Sequence, residues 1–218
     1  MLVDKPEFLE RLRSGAASLG VQFPLESEEA LFWLGSELLR WNEKVNLTAI
    51  VDPIEVLDKH ILDSLGVAPS LPPGVQKLLD VGTGAGFPGL PLALVRPDLE
   101  VWLVDSVAKK VGFVKHAVAE LGLAPRVRAL HATLQGAPVR EGIPAVDVAI
   151  SRALRDVPAW AALGAAYLRP DGLLVAMAGG GYEAPLLQGF GKPEVRRFAL
   201  PSGAGRSVLV YPRDGARP

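Results

Sequence analysis

The feature that most constrains this chain is a glycine-rich segment that directly follows a short apolar run. Residues 78–89 read LLDVGTGAGFPG. An apolar strand that runs into alternating glycines and then into a helix is the opening of a βαβ unit. The glycines let the backbone turn sharply and approach a ligand closely, and the helix start behind them presents unpaired N–H groups. The segment therefore predicts a ligand-binding loop at the carboxyl edge of a parallel sheet.

The remainder of the chain after residue 75 has the texture of an α/β domain, because short apolar runs alternate with amphipathic stretches. Predicted strands cover residues 77–81, 101–105, 127–130, 147–151 and 173–178, and predicted helices cover residues 88–95, 107–121 and 157–168. Two further strands, 195–200 and 207–211, are joined by a turn-rich segment that suits an antiparallel hairpin. The predicted fold is a doubly wound, mostly parallel, seven-stranded α/β sheet of the Rossmann-like kind.

The first part of the chain is predicted to be helical. Apolar residues repeat at helical spacing over residues 6–19 and again after Ser27, which we expect to cap the second helix. Asp52 precedes Pro53 and is expected to cap a third helix that runs to about residue 65.

A break rich in Pro and Gly at residues 69–74 separates the helical region from the α/β region. We therefore expect residues 1–74 to form a helical extension that packs on a catalytic domain of residues 75–218. With 218 residues, the chain can bury a sizeable core without disulfides or a structural metal.

Composition excludes several classes of protein. The chain has no cysteine, which rules out a disulfide scaffold and fits a reducing, cytoplasmic location. Charged residues near the N-terminus interrupt any signal peptide, and no apolar run is long enough to span a bilayer. The three histidines lack the spacing of a metal triad, so we expect no metal. A formal net charge of -1 means that a surface for nucleic acid must come from a local basic cluster.

Two carboxylates, those of Asp80 and Asp105, indicate which class of ligand the loop binds. Asp105 ends the second predicted strand, where it can accept hydrogen bonds from both hydroxyls of a ribose. Asp80 lies two residues before Gly82, where a carboxylate suits the ammonium and sulfonium end of S-adenosylmethionine and would repel the pyrophosphate of a dinucleotide. The pattern therefore favours the methyl donor S-adenosylmethionine as the ligand.

With these residues in view, the chain resembles the RsmG family, also called GidB, of bacterial small-subunit ribosomal RNA methyltransferases that act on N7 of a guanine. The resemblance covers roughly the first three quarters of the chain, and its most specific part is the glycine loop at residues 79–89. Four other segments follow in family order, namely residues 41–50 (WNEKVNLTAI), 60–65 (HILDSL), 105–110 (DSVAKK) and 151–153 (SRA).

The resemblance implies a Rossmann-like class I methyltransferase fold, S-adenosylmethionine as cofactor, and small-subunit ribosomal RNA or its assembling particle as partner. It also implies that the donor is contacted by the glycine loop, by the acid after the second strand, by the turn after the third strand and by an arginine at the end of the fourth. These residues are Gly82, Gly84, Gly86, Phe87, Asp105, Ser106, Val107, Thr133, Leu134 and Arg152.

Arg152 is the predicted catalytic residue. It follows a central strand, where the ligand cleft of an open α/β sheet lies. Guanine N7 carries a lone pair and no proton, so the reaction needs no general base and catalysis can consist mainly of positioning. Arg152 would then orient the base through its O6.

The predicted RNA-binding surface is a local cluster of basic residues at the rim of the cleft. Its members are Lys109, Lys110 and Arg206, together with Arg152. For the two lysines the competing interpretation is an ordinary solvated helix face. We expect the protein to be a monomer.

The chain also departs from the family pattern. Residues 131–135 read HATLQ where the family usually has an Arg and a Glu. Ala178 stands in place of a lysine and Ser207 in place of a histidine. These departures leave the donor pocket mostly intact and fall on the RNA side.

Several alternatives stay open at this stage. The scaffold could act on another RNA site or on a small molecule, or it could bind S-adenosylmethionine or RNA without catalysis. Asn42 and Asn46 could either turn the chain or shape the substrate face. His60 and Asp63 lie three residues apart on a predicted helix and could pair there, with helix packing the favoured role for His60.

Overall fold

A computed structural model describes residues 4–152 and 156–214 of the chain. Ala153, the last residue of the 151–153 motif, lies outside the described residues. The described chain forms one seven-stranded sheet with helices on both faces, preceded by a helical N-terminal region.

The N-terminal region is helical, as predicted. Its elements are α1 (Lys5–Ser18), α2 (Glu26–Val45), α3 (Pro53–Val56), a π-helical turn (Leu57–Leu62), α4 (Asp63–Leu65) and a 3-10 turn (Ala68–Ser70). Helix α1 buries Phe8, Leu12 and Ala16, which lie about one turn apart on one face. Within the described residues, no helix combines the length and the apolar character that a membrane span requires.

The prediction that Ser27 caps the second helix is wrong. Helix α2 begins at Glu26, and Leu25 stands at its N-cap position. Ser27 is buried, and its hydroxyl donates to the carbonyl of Leu94, 2.8 Å away. The Ser27 hydroxyl therefore binds a carbonyl that is distant in the chain and does not cap the helix.

The third helical segment begins as predicted and then departs from α-helical geometry. The Asp52 carboxylate accepts the N–H groups of Ile54 and Glu55, so it caps α3. Residues 57–62 then form a π-helical turn, which inserts an extra residue into the helical turn. The turn contains His60, whose contacts at the sheet edge are described below.

The sheet confirms the predicted doubly wound class. Its strands are β1 (Lys77–Val81), β2 (Glu100–Asp105), β3 (Val127–His131), β4 (Val146–Arg152), β5 (Leu168–Gly179), β6 (Glu194–Ala199) and β7 (Gly205–Pro212). Their order is β3-β2-β1-β4-β5-β7-β6, in which β1 to β5 are parallel and β7 pairs antiparallel with both β5 and β6. The predicted C-terminal hairpin is therefore present.

Crossover helices cover both faces of the sheet, and they are α5 (Gly89–Val95), α6 (Ala108–Glu120), α7 (Pro138–Glu141) and α8 (Val157–Gly164). The short helix α7 was not predicted. The predicted helix 157–168 ends early because β5 begins at Leu168, five residues before the predicted strand start. Successive residues of a strand point to opposite faces, and successive residues of β2 and β4 are buried because both faces of the sheet are covered.

Two buried clusters flank the sheet. Leu78 and Leu103 belong to the cluster that also contains α5, α6 and the N-terminal helices, whereas Leu79 and Val104 belong to the cluster on the α8 side. Residues of α1 and α2 thus share a core with the sheet. The connections from β1 and β4 leave toward opposite sides, which opens a crevice at their carboxyl ends.

Candidate functional site

The glycine loop leaves β1 at the crevice with its backbone exposed to an approaching ligand. Gly82 and Gly84 have φ values of +71° and +61°, in the left-handed region that favours glycine. Among described atoms, none lies within 4 Å of the position that a Cβ would occupy on either residue. The loop therefore combines a sharp turn with open space beside its backbone.

The later glycines of the loop have a packing role. A Cβ on Gly86 would stand 2.3 Å from Leu90. A Cβ on Gly89 would stand 2.1 Å from Leu103 Cδ2 and 2.9 Å from Asp80 Oδ2. These glycines let α5 start directly against the sheet, and its first two N–H groups donate to Asp80 and to the Gly86 carbonyl.

Asp80 is fully buried beneath this loop. Its Oδ2 accepts the Thr83 hydroxyl at 2.6 Å and the Gly89 N–H at 2.9 Å. Its Oδ1 is buried and has no hydrogen-bond donor among the described residues. Complete burial raises the pKa of the Asp80 carboxyl to about 6, against the lowering effect of those two hydrogen bonds. The site thus holds an unsatisfied carboxylate oxygen, which a cationic group would stabilise.

Asp105 lies at the end of β2 and orders the neighbouring backbone. One carboxylate oxygen accepts the Gly84 N–H at 2.9 Å, and the other accepts the Val107 N–H at 2.8 Å. Each oxygen keeps a second lone pair, so the carboxylate can still accept two hydroxyl groups. Ser106 is exposed and Val107 is half-buried, beside this carboxylate.

The turn after β3 lies next to Asp105. The Ala132 N–H donates to the Asp105 carbonyl at 3.1 Å. Thr133 is exposed, and the Leu134 side chain is 8% exposed and packs in the α8-side core. The next two N–H groups of this turn, those of Gln135 and Gly136, donate to the side chains of Glu141 and Tyr167.

Arg152 ends β4 and is held by the N-terminal helical region. Its Nη1 donates to the Lys59 carbonyl at 3.2 Å and lies 3.3 Å from His60 Nδ1. The same atom lies 3.5 Å from Asp63 Oδ2. Burial lowers the pKa of the guanidinium, while Asp63 and Asp80 oppose that shift, and an arginine remains cationic. The structure places Arg152 in a fixed cradle at the crevice.

His60 is a site residue whose position the sequence did not reveal. Its ring lies on the ring of Phe87, the last residue of the glycine loop before Pro88. Its Nε2 lies 2.9 Å from the Thr48 hydroxyl. Because Nδ1 faces the Arg152 donors, the proton belongs on Nε2. Burial, with a smaller effect of Arg152, lowers the pKa of His60 to about 3, so the imidazole is neutral near pH 7.

The 41–50 segment supports His60. Asn42 accepts the N–H groups of Leu47 and Thr48 at 2.6 and 2.9 Å and donates to the Thr48 carbonyl at 2.9 Å. Asn46 has a φ of +48° at the end of α2. The two asparagines turn the chain, and in doing so they place the Thr48 hydroxyl against His60. The role of the two asparagines in turning the chain is therefore present in the structure, and a role in shaping the substrate face stays a prediction.

Asp63 joins the two arginines of the site. Arg206 Nε donates to Asp63 Oδ1 at 3.0 Å, and Arg152 contacts the other oxygen. Burial raises the pKa of Asp63, although both arginines act to lower it. Among the described residues, the His60 and Asp63 side chains each contact Arg152, and no hydrogen bond or ion pair joins these two side chains to one another. The proposed pairing of His60 with Asp63 is therefore replaced by a shared partner.

The predicted basic rim is dispersed along the crevice. Lys109 is exposed and Lys110 half-buried at the start of α6, beside Asp105. Arg206 is on β7, four strands away from β2 in the sheet order, with its charge balanced by Asp63. The structure thus brings Arg152 and Arg206 together and leaves the two lysines at the other end of the site.

Two of the departures from the family pattern, Ala178 and Ser207, are neighbours in the sheet. Ala178 on β5 is the cross-strand partner of Ser207 on β7. Ala178 is half-buried, whereas Ser207 is 1% exposed and its Oγ has no partner among the described residues. Both positions adjoin the Gly179–Arg206 pair at the same edge of the sheet.

The strand order arranges the site in one line along the carboxyl edge. Arg152 ends β4, Asp80 lies in β1 with the glycine loop after it, Asp105 ends β2, and Thr133 follows β3. Neighbouring strands in a sheet lie about 4.8 Å apart, so these groups extend over roughly 15 Å. The line can hold an elongated ligand with a cation near β1, a ribose near β2 and a ring near β3.

Comparisons with known proteins show the family to which this chain is similar. The family model described as GidB, rRNA small subunit methyltransferase G, matches residues 28–197. A protein of Myxococcus xanthus named ribosomal RNA small subunit methyltransferase G is 48% identical over 219 residues, covering 97% of this chain and all of that protein. A protein of the same name from Anaeromyxobacter dehalogenans is 46% identical, covering 94% of this chain and 98% of its own length.

Solved structures share the fold at low sequence identity. A SAM-dependent methyltransferase from Aquifex aeolicus has a TM-score of 0.50 and 19% identity, covering 73% of this chain and 93% of that chain. TrmN from Thermus thermophilus has a TM-score of 0.52 and 20% identity, covering 70% of this chain and 48% of that longer chain. These similarities support the Rossmann-like architecture.

Proposed function

Because this chain belongs to the GidB family, rRNA small subunit methyltransferase G, we propose that it transfers a methyl group from S-adenosylmethionine to N7 of a guanine in small-subunit ribosomal RNA. The observation that carries the proposal is the line of groups along the carboxyl edge, which begins at Arg152 and ends at Thr133. The protein would act as a monomer in the cytoplasm, on the RNA or on its assembling particle.

The residues of the site fit this donor. S-adenosylmethionine supplies an electrophilic methyl group on a sulfonium. The open backbone at Gly82 and Gly84 allows close approach, and Asp105 has free lone pairs for the ribose hydroxyls. The unsatisfied Asp80 oxygen supplies negative charge where the cationic end would lie. Ser106, Val107, Thr133 and Leu134 would surround the adenine end, with Gly86 and Phe87 closing the loop.

Asp80 acts as a buried counter-charge in this scheme. Its carboxylate is costly to bury alone, as its raised pKa indicates. A neighbouring cation offsets that cost, so the same carboxylate that destabilises the empty site favours a cationic ligand. Hydrogen bonds from Thr83 and Gly89 hold the carboxylate in place, so the Asp80 side chain needs no further ordering when the ligand binds.

Arg152 positions the acceptor. Guanine N7 needs no deprotonation, so the chain has to hold the base in line and exclude water. The cradle of Lys59, His60 and Asp63 fixes the guanidinium, whose remaining N–H donors can bind the guanine O6. The neutral His60 cannot serve as an acid near pH 7, and it supports Arg152 by packing and hydrogen bonding.

The proposed RNA surface uses Lys109, Lys110 and Arg206 around the crevice. Lysine contacts to phosphate are salt-dependent, since binding releases condensed counterions. Ala178 and Ser207 have short side chains. The end of the rim near β5 and β7 therefore lacks the lysine cation and the histidine ring that the family usually has there. Arg206 supplies a guanidinium at the adjacent position on β7.

Nucleoside analysis of small-subunit RNA provides the test. Cells that lack this protein should lose one N7-methylguanosine, and the purified protein should restore it with turnover of S-adenosylmethionine. A different lost nucleoside would favour another RNA site. Donor binding with no methyl transfer to any ribosomal RNA would favour a binding protein, and a methylated metabolite would favour a small-molecule enzyme.

A further inference from the structure

A buried hydroxyl and a carboxylate hold the chain that follows the turn after β3. The Tyr167 hydroxyl accepts the Gly136 N–H at 2.9 Å and donates to Glu141 Oε2. The other oxygen of Glu141 accepts the Gln135 N–H at 2.8 Å. Two successive backbone N–H groups are therefore fixed by one side-chain pair.

The tyrosine of this pair is packed in the core. Tyr167 is fully buried, and its ring belongs to the same core cluster as Leu134, Ile143 and Val146. Burial, together with Glu141, raises the pKa of the Tyr167 hydroxyl to about 12, so the hydroxyl keeps its proton near pH 7. A protonated hydroxyl that donates to Glu141 must present a lone pair to Gly136, and its orientation is thereby fixed.

The turn is tied at its other end as well. The Ala132 N–H donates to the Asp105 carbonyl, and His131 pairs with Asp105 in the parallel register. Thr133 and Leu134 lie between these two attachments. Their position relative to Asp105 therefore depends on the hydroxyl–carboxylate pair on one side and on β2 on the other.

We propose that Tyr167 and Glu141 are positioning residues for the methyl donor, which hold the 133–136 turn where it meets the adenine end. The inference rests on the proposed function, because that function assigns Thr133 and Leu134 to the donor. Neither residue touches the donor in this scheme. They act through the backbone N–H groups of Gln135 and Gly136.

The test compares two Tyr→Phe variants by calorimetry with S-adenosylmethionine and with S-adenosylhomocysteine. Tyr167→Phe keeps the ring and leaves the Gly136 N–H without its acceptor. The donor Kd should rise about threefold to tenfold, the range expected for one lost hydrogen bond. Tyr211→Phe is the matched control, because Tyr211 is also fully buried and its hydroxyl has no partner among the described residues. Its donor Kd should stay within twofold of the wild type.

Steady-state kinetics separates positioning from general loss of structure. Tyr167→Phe should raise the KM for the donor and leave kcat and the KM for ribosomal RNA within twofold. Glu141→Ala should show the same pattern, and the double variant should cost no more than the larger single change, because the two groups act as one unit.

The outcomes distinguish this inference from the proposed function. A wild-type protein that binds no S-adenosylmethionine would overturn both. A second outcome would overturn the positioning role alone. In that outcome the wild type binds the donor, and the donor Kd of Tyr167→Phe lies within twofold of the wild-type value or equals that of Tyr211→Phe. A fall in kcat with an unchanged donor KM would do the same.

Discussion

The imidazole ring of His60 lies nearly parallel to the phenyl ring of Phe87, with ring centroids 5.0 Å apart and planes 21° apart. Arg152 Cζ lies 5.7 Å from the centre of the same phenyl ring. Phe87 belongs to the glycine loop and His60 to the N-terminal helical region. One aromatic ring thus couples the loop proposed to bind the donor with the arginine proposed to orient the base.

Replacing Arg152 by lysine should lower kcat/KM for ribosomal RNA by about a hundredfold. A lysine keeps the charge but cannot present the planar fork that the cradle holds, so the base would be misplaced. Arg96→Lys is the control, since Arg96 forms an ion pair with Asp98 away from the site. Equal activity of the two variants in a methyl-transfer assay would argue against the role of Arg152.

Donor affinity should fall as the pH drops through 6. The folded pKa of Asp80 is raised to about 6, so protonation below that value removes the negative charge that favours a cationic donor. Between pH 7 and pH 5 the wild-type Kd should rise about tenfold. Asp80→Asn should bind the donor weakly with little pH dependence, whereas Asp98→Asn should keep the wild-type profile. A flat wild-type profile measured by calorimetry would contradict this assignment.

His60 should make the fold less stable in acid. Its folded pKa of about 3 lies below the unfolded value, so its contribution is present above pH 6.5 and is lost as the pH falls toward 3. Between pH 7 and pH 5 this single group should cost about 2 kcal/mol of unfolding free energy. In denaturant titrations, His60→Gln should lose less unfolding free energy than the wild type between pH 7 and pH 5, by that amount. An identical pH dependence of the two proteins would contradict the lowered pKa of His60.

Two Gly→Ala variants should shift stability in opposite directions. At Gly89 the added methyl group would meet Leu103 at 2.1 Å, so we expect a loss of roughly 1–3 kcal/mol. At Gly112, within α6, no described atom lies within 4 Å of the added Cβ, and alanine should stabilise the helix by up to about 1 kcal/mol. Chemical denaturation measures both. A stabilising Gly89→Ala would contradict the close contact of α5 with the sheet.

The pair Ala178 and Ser207 should reduce methylation of the family's guanine without affecting donor binding. A lysine and a histidine at these neighbouring positions would offer a mobile cation and a ring to the RNA, which alanine and serine cannot do. Expression in bacteria that lack their own RsmG should give partial N7-methylguanosine at the family position or a mark elsewhere. Complete restoration of the mark would contradict this prediction, and donor binding without the mark would favour it.

Much of the fold could be predicted because its signals are local. The apolar run before Gly82, the alternating glycines and the acid at Asp105 each report on a few consecutive residues. The Asp52 cap and the two C-terminal strands were predicted for the same reason. Such patterns follow from backbone geometry and hydrophobic periodicity, which the chain carries without knowledge of its neighbours.

The contacts that complete the site depended on residues far apart in the chain. Ser27 was assigned to a cap, yet its hydroxyl meets Leu94, 67 residues later. Arg152 meets His60 and Asp63 about 90 residues away. No local pattern marks the π-helical turn that contains His60. The sequence by itself determined the strands, the glycine loop and the class of ligand, because propensity and periodicity are short-range. Only the tertiary structure decided how Arg152 is cradled and how the 133–136 turn is held, because those contacts exist only once distant segments pack together.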